Sequence, residues 1–111
     1  MSHASFVTAH VLDSVRGAPA AGIDVHLTTA DGTPIARART NDDGRVPELG
    51  PPTLESGVYR ITFSTGEYFA ARDQATFYPS VTIDFRVDAA EQHYHVPLLL
   101  SPFAFSTYRG S

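Results

Sequence analysis

Apolar residues along this chain alternate with polar ones at a period of two. In the stretch VTAHVLD, Val7, Ala9 and Val11 fall on one side, and Thr8, His10 and Leu12 on the other. Ile23, Val25 and Leu27 alternate in the same way with Asp24, His26 and Thr28. Tyr59, Ile61 and Phe63 alternate with Val58, Arg60 and Thr62, and Val81, Ile83, Phe85 and Val87 with Thr82, Asp84 and Arg86. All four read as strands, the last two as half-buried antiparallel ones. A fifth stretch, HYHVPLLLS, puts His93, His95, Pro97 and Leu99 on one face and Tyr94, Val96, Leu98 and Leu100 on the other. Turn signals (RGAPAAG, ADGTP, NDDGR, LGPP, ESG, STG) recur at short intervals between these runs. That rhythm predicts an all-β sandwich or barrel. Only EYFAARDQ lacks both alternation and Gly/Pro punctuation, which predicts one short helix near residues 67–74.

At 111 residues, 42% of them hydrophobic and only 18% charged, the chain is apolar enough to bury a core. A single domain over residues 1–111 is expected, with residues 1–4 lacking fixed structure. A net charge of −4 supplies no footprint for nucleic acid or for an anionic membrane. All eight basic residues are Arg, a bias that points to codon composition in a high-GC bacterium rather than to chemistry. With no Cys, thiolate catalysis, iron–sulfur clusters and Cys-based zinc sites are excluded. The first residues carry no basic region ahead of an apolar run, and no stretch approaches the roughly 20 apolar residues of a membrane span, so a cytoplasmic protein is expected.

Four places hold residues able to act on a substrate. His10 lies on the less apolar face of the first strand, where a lone histidine is most often a surface or core residue. Arg45 follows the turn TNDDG, where a solvated turn arginine is the plain reading. His93 and His95 project from one face of a strand, as two metal ligands would, and zinc would need a third from His10 or His26. Pro97 cannot donate to a β-ladder and so points to an edge or a bulge, exposed unless another subunit covers it. Finally, STYRGS offers the phenol of Tyr108, the guanidinium of Arg109 and the hydroxyl of Ser111, in a segment that chemistry alone would read as a frayed tail.

Together, AHVLDSVRGAPAAGIDVHL, TNDDGR, GEYF, FYPS and HYHVPLLLSPFAFSTYRGS resemble the 5-hydroxyisourate hydrolases, also called transthyretin-related proteins, over nearly the whole chain. YRGS is the most specific part, because true transthyretins share the LLSP region and lack this tetrapeptide. The resemblance implies a transthyretin-like β-sandwich of two antiparallel four-stranded sheets, seven to eight strands in all, assembled as a homotetramer of edge-paired dimers with active sites in the channel between them. It implies hydrolysis of 5-hydroxyisourate, without metal or cofactor, by His10, Arg45, His95 and Ser111. Tyr108, Arg109 and His93 are then substrate-binding neighbours, His93 and Arg109 being alternatively interface residues. A transthyretin-like carrier of a planar molecule is the competing reading, and two imidazoles with a guanidinium in the channel argue against an apolar cargo. Phe103 and Phe105 stand where relatives usually carry at least one Tyr, and Ser80 where an acidic residue is common.

Overall fold

The structure is a computed structural model that describes residues 4–111. Of the segment expected to lack fixed structure, residues 1–3 lie outside the described residues, and Ala4 is an exposed bend leading into a buried Ser5 and Phe6. Nine strands and one helix follow: β1 (Val7–Asp13), β2 (Ala18–Pro19), β3 (Asp24–Thr29), β4 (Pro34–Arg39), β5 (Arg45–Val46), β6 (Gly57–Phe63), α1 (Thr65–Ala70), β7 (Val81–Val87), β8 (Tyr94–Leu100) and β9 (Phe105–Thr107). Four strands form one sheet in the order β4-β3-β6-β7. The other runs β2-β1-β8-β9, with β5 also on β1. The sandwich is therefore all-β, as expected. It exceeds eight strands because the edge beside β1 is shared by two short pieces, β5 opposite Ala9 and His10 and β2 opposite Leu12 and Asp13.

The inward residues of the alternation meet between the sheets. Val7, Ala9, Val11, Val96, Leu98 and Leu100 from one sheet pack with Val25, Leu27, Ile61, Phe63 and Val81 from the other, all nearly inaccessible. A buried Leu or Phe of this kind contributes about 1.5–3 kcal/mol from leaving water. The exception to the apolar pattern is Asp13, which also points inward. Its carboxylate is buried and accepts the Tyr68 hydroxyl at 2.8 Å and the backbone N–H groups of Val15 and Arg16, both at 3.1 Å, so the charge is fully hydrogen-bonded. Through Tyr68 this network ties α1 to the end of β1.

The helix starts two residues earlier than the sequence pattern predicts and ends sooner. Gly66 is not turn punctuation but lies inside the helix, where its N–H donates to Pro79 O at 3.0 Å and an added Cβ would lie 2.4 Å from the same oxygen. The chain leaves the helix through a turn at residues 71–73 that ends on Asp73 in the left-handed region, φ 58°. Among the described residues no helix is long and apolar enough to cross a membrane.

Two pairings decide where the outward-facing chemistry ends up. Against the expectation of two wholly antiparallel sheets, strand β1 runs parallel to β8, placing Thr8 opposite His95 and His10 opposite Pro97, while β5 places Arg45 opposite His10. Proline 97 is not at an edge. It is buried in β8, flanked by β1 on one side and by the C-terminal segment on the other. Its missing N–H faces that segment, so β8–β9 pairing stops after Leu98↔Thr107 and resumes only as a bridge at His95↔Gly110. In the gap the Thr107 hydroxyl donates to Pro97 O at 2.7 Å, and Tyr108 and Arg109 stand free of the ladder.

Candidate active site

Arg45 reaches its position through the turn before it. The side-chain oxygen of Asn41 accepts the N–H groups of Asp43 and Arg45 at 2.9 and 3.0 Å, closing the turn from below. Gly44 then takes φ +73° and passes so close to β1 that an added Cβ would lie 2.4 Å from Val11 O. Only glycine fits both demands. The result is an exposed arginine fixed by its backbone, with no ion pair to its guanidinium among the described residues.

Around it lies a cleft of about 300 Å³, lined by Thr8, Arg45, His93, His95 and Ser111 among others. His10 stands beside this cleft, its ring centroid 6.4 Å from that of His95; the rings of His93 and His95 are 6.3 Å apart and stacked. Nε2 of His10 lies 3.1 Å from the carbonyl oxygen of Asp43. A carbonyl can only accept, so Nε2 carries the proton and neutral His10 keeps its lone pair on Nδ1. His95 is held differently: its Nδ1 lies 2.7 Å from the Thr8 hydroxyl, which lies 2.8 Å from Nε2 of His93 as well.

Both His10 and His95 titrate below the ordinary imidazole value. Burial is the main cause in each, and the Arg45 guanidinium comes second; for His95 the other two histidines add to it. The cleft therefore favours neutral, proton-accepting imidazoles beside a permanent positive charge.

Tyr108 and Arg109 do not line this cleft. They border a second pocket, also of about 300 Å³, between the edges of the two sheets, which shares His95 and is otherwise walled by residues such as Ile83, Phe85 and Tyr94. There Arg109 lies 4.4 Å above the Tyr94 ring and 3.8 Å from the Glu91 carboxylate. His26 is on β3, in the opposite sheet, and joins neither pocket. Among the described residues no group of three or more His, Asp or Glu side chains is placed to hold a metal. Two residues that the sequence pattern does not single out belong to the cleft's construction. Thr8 is one, and Gly110 is the other: an added Cβ there would lie 2.6 Å from His95 Cδ2 and 3.1 Å from Pro97 Cγ. The glycine of YRGS is thus the surface against which the imidazole rests. Of the positions that depart from the usual pattern, Phe105 packs edge-on against Tyr78 at 5.1 Å, and nothing in the structure explains Phe103 or Ser80.

A family model described as the HIUase/Transthyretin family matches residues 7–110. The chain belongs to this family. Among its members, the 5-hydroxyisourate hydrolase of Salmonella dublin is 39% identical over 111 residues, spanning 96% of this chain and 82% of that protein. The structure of Klebsiella pneumoniae 5-hydroxyisourate hydrolase superposes with a TM-score of 0.88 at 36% identity, covering 96% of this chain and 100% of the other. Transthyretin from Sparus aurata superposes almost as well, TM-score 0.86, at 30% identity and over 95% and 96% of the two chains. Hydrolases and transthyretins of the family thus share one fold, and fold alone does not separate them. The cleft adds chemistry to that fold: two imidazoles that favour the neutral form, beside a guanidinium with no ion pair among the described residues, are equipped for proton transfer and anion stabilisation.

Proposed function

We propose that this chain is a hydrolase of 5-hydroxyisourate, opening the six-membered ring to give 2-oxo-4-hydroxy-4-carboxy-5-ureidoimidazoline in urate breakdown. The observation that carries this reading is that Arg45 and His95 line one cleft of about 300 Å³ with His10 beside it, the three coming from separate strands. Hydrolysis of a cyclic amide needs a base for water, positive charge where the oxyanion develops, and walls that hold a flat polar ring. The lowered histidines supply the first, His95 and His10 dividing the base and orienting roles. Arg45 offers a fork of donors to the carbonyl oxygen that becomes the oxyanion. Ser111 lies in the cleft to position substrate or water through its hydroxyl. Tyr108 and Arg109, on the neighbouring pocket that shares His95, contact the far side of the ring. His93, which also lines the cleft, binds substrate beside His95.

The whole of residues 1–111 serves as one catalytic domain in this reading, assembled as a homotetramer of two edge-paired dimers. Two features support the assembly: β9 is exposed along its length, and Phe77, Phe103 and Tyr108 are largely exposed apolar or aromatic side chains. Light scattering on the purified protein gives the assembly state directly.

The activity is tested by generating 5-hydroxyisourate in place with urate oxidase and following its disappearance against spontaneous decay. Acceleration by the wild-type chain is expected, with at least a hundredfold loss for His95→Ala, in line with about 10²–10⁴ for a positioned acid–base group. Wild-type protein that leaves the decay unchanged overturns the assignment.

A further inference from the structure

The Thr8 hydroxyl sits between two imidazole nitrogens, 2.8 Å from Nε2 of His93 and 2.7 Å from Nδ1 of His95. A hydroxyl has one proton to give. If both facing nitrogens held lone pairs, one would be left against an oxygen lone pair; with two neutral rings the satisfied arrangement has one nitrogen protonated and the other not. The tautomers of the two histidines are therefore tied together through Thr8. The backbone enforces this geometry: Thr8 is directly opposite His95 in the parallel β1–β8 pairing, and its β-branched side chain has few χ1 choices.

His10 has no such freedom, because its Nε2 faces a carbonyl oxygen that accepts only. Of the two histidines beside Arg45, one is locked in a single tautomer and the other is coupled to a partner that can take its proton.

We propose that Thr8 is the positioning residue of this site, a hydroxyl relay that joins His93 and His95 into one proton-sharing unit and selects the tautomer in which His95 Nε2 faces the reactant as a base. The proposal rests on the hydrolase reading given above. In the resting arrangement His95 Nδ1–H donates to Thr8 Oγ1, the Thr8 hydroxyl donates to His93 Nε2, and His93 carries its own proton on Nδ1. As the oxygen of water bonds to the ring carbonyl carbon, one water O–H bond breaks and its proton goes to His95 Nε2. The proton on His95 Nδ1 passes to Thr8 Oγ1, and the proton of the Thr8 hydroxyl passes to His93 Nε2. Positive charge then rests on His93 rather than on His95, while the oxyanion faces Arg45. When the ring C–N bond breaks, the leaving nitrogen takes the proton from His95 Nε2 and the relay runs backward, restoring all three side chains.

The test uses Thr8→Val, which keeps shape and removes the hydroxyl, and Thr8→Ser, which keeps the hydroxyl. Thermal melting checks that both fold. For Thr8→Val the expected outcome is a tenfold or greater fall in kcat with KM within twofold, and for Thr8→Ser a kcat within about threefold of wild type. Nitrogen-15 NMR of the imidazoles in substrate-free protein reads the relay without turnover: His95 is expected mainly in the Nδ1–H form in wild type and Thr8→Ser, and redistributed toward Nε2–H in Thr8→Val. Unchanged tautomers in Thr8→Val, or equal loss of kcat in both variants, overturns the relay. A wild-type chain inactive toward 5-hydroxyisourate overturns the hydrolase reading instead, while the NMR arm still decides whether Thr8 couples the two rings.

Discussion

The two sheets bury their inner faces by the same alternation and dress their outer faces in opposite ways. On the sheet β4-β3-β6-β7, two arginines meet carboxylates directly across the strands. Arg39 pairs with Asp24 at 2.9 Å, Arg60 grips Asp84 through two nitrogens at 2.8 and 3.3 Å, and Thr62 meets Thr82 at 3.2 Å. On the other sheet three histidines and Arg45 gather without a carboxylate partner for the guanidinium among the described residues. A matched guanidinium spends its field on its neighbour, and both partners of Arg60–Asp84 shift only toward staying charged. An unmatched one acts on whatever titrates nearby, which is why Arg45 contributes to lowering both His10 and His95. Arg60 and Arg45 thus differ in the carboxylate opposite, and with it in what their charge acts on.

Among the changes that probe this contrast, removing the unmatched charge is expected to have the largest effect. Arg45→Ala should cut kcat by about 10²–10³, the usual cost of losing an oxyanion donor, with little change in melting temperature. It should also move the acid limb of the pH–rate profile upward, because the histidines lose a neighbour that holds them neutral. The sign of the stability change follows from the same shifts. The folded chain binds fewer protons on these rings than the unfolded chain does just below about pH 6.5, so their contribution is complete above that pH and is lost as pH falls through the lowered folded values. Urea titrations from pH 7.5 to 5 on wild type and Arg45→Ala measure it; a variant whose acid limb stays in place breaks the link between charge and titration.

A smaller loss is expected from Gly110→Ala. Its Cβ cannot occupy a point 2.6 Å from His95 Cδ2, so either the ring or the C-terminal segment must shift. Displacing a catalytic group by about 1 Å costs on the order of 10² in rate, whereas β-sheet circular dichroism should be unchanged. Smallest of all is the control on the paired face. Arg60→Ala breaks an exposed cross-strand pair and should leave kcat, KM and the pH profile as they were, with a urea midpoint close to that of wild type. A change in the pH profile there would mean that the outer faces are not electrically separate.

Strand content was legible because each strand has one wet face, and a period of two records that directly. The helix boundary was not, since Gly66 reads as a turn residue until Pro79 is seen packed against it. Pro97 misleads in a similar way. A proline excludes a ladder bond only on the side its nitrogen faces, and here that side is a segment already interrupted. In the site, His-x-His announces itself locally, and Arg45 gains weight only through the resemblance of TNDDGR. Thr8 leaves no local trace, because its partners are 85 and 87 residues away and meet it only through the β1–β8 pairing. Gly110 is visible as part of YRGS, but its reason lies in the absence of a side chain beside His95.

The parallel alignment of β1 with β8 also bears on when the protein becomes active. Strands β3, β4, β6 and β7 pair antiparallel, and β3–β4 closes over a short loop, so that sheet can begin to zip from local contacts. The cleft cannot. Thr8, His10, Arg45 and His95 come together only after a loop of more than eighty residues has closed, the slowest kind of contact to form. Catalysis is therefore a clock for the closing of one seam: during refolding, hydrolytic activity should return after β-structure has regrown, with the kinetics of β8 docking.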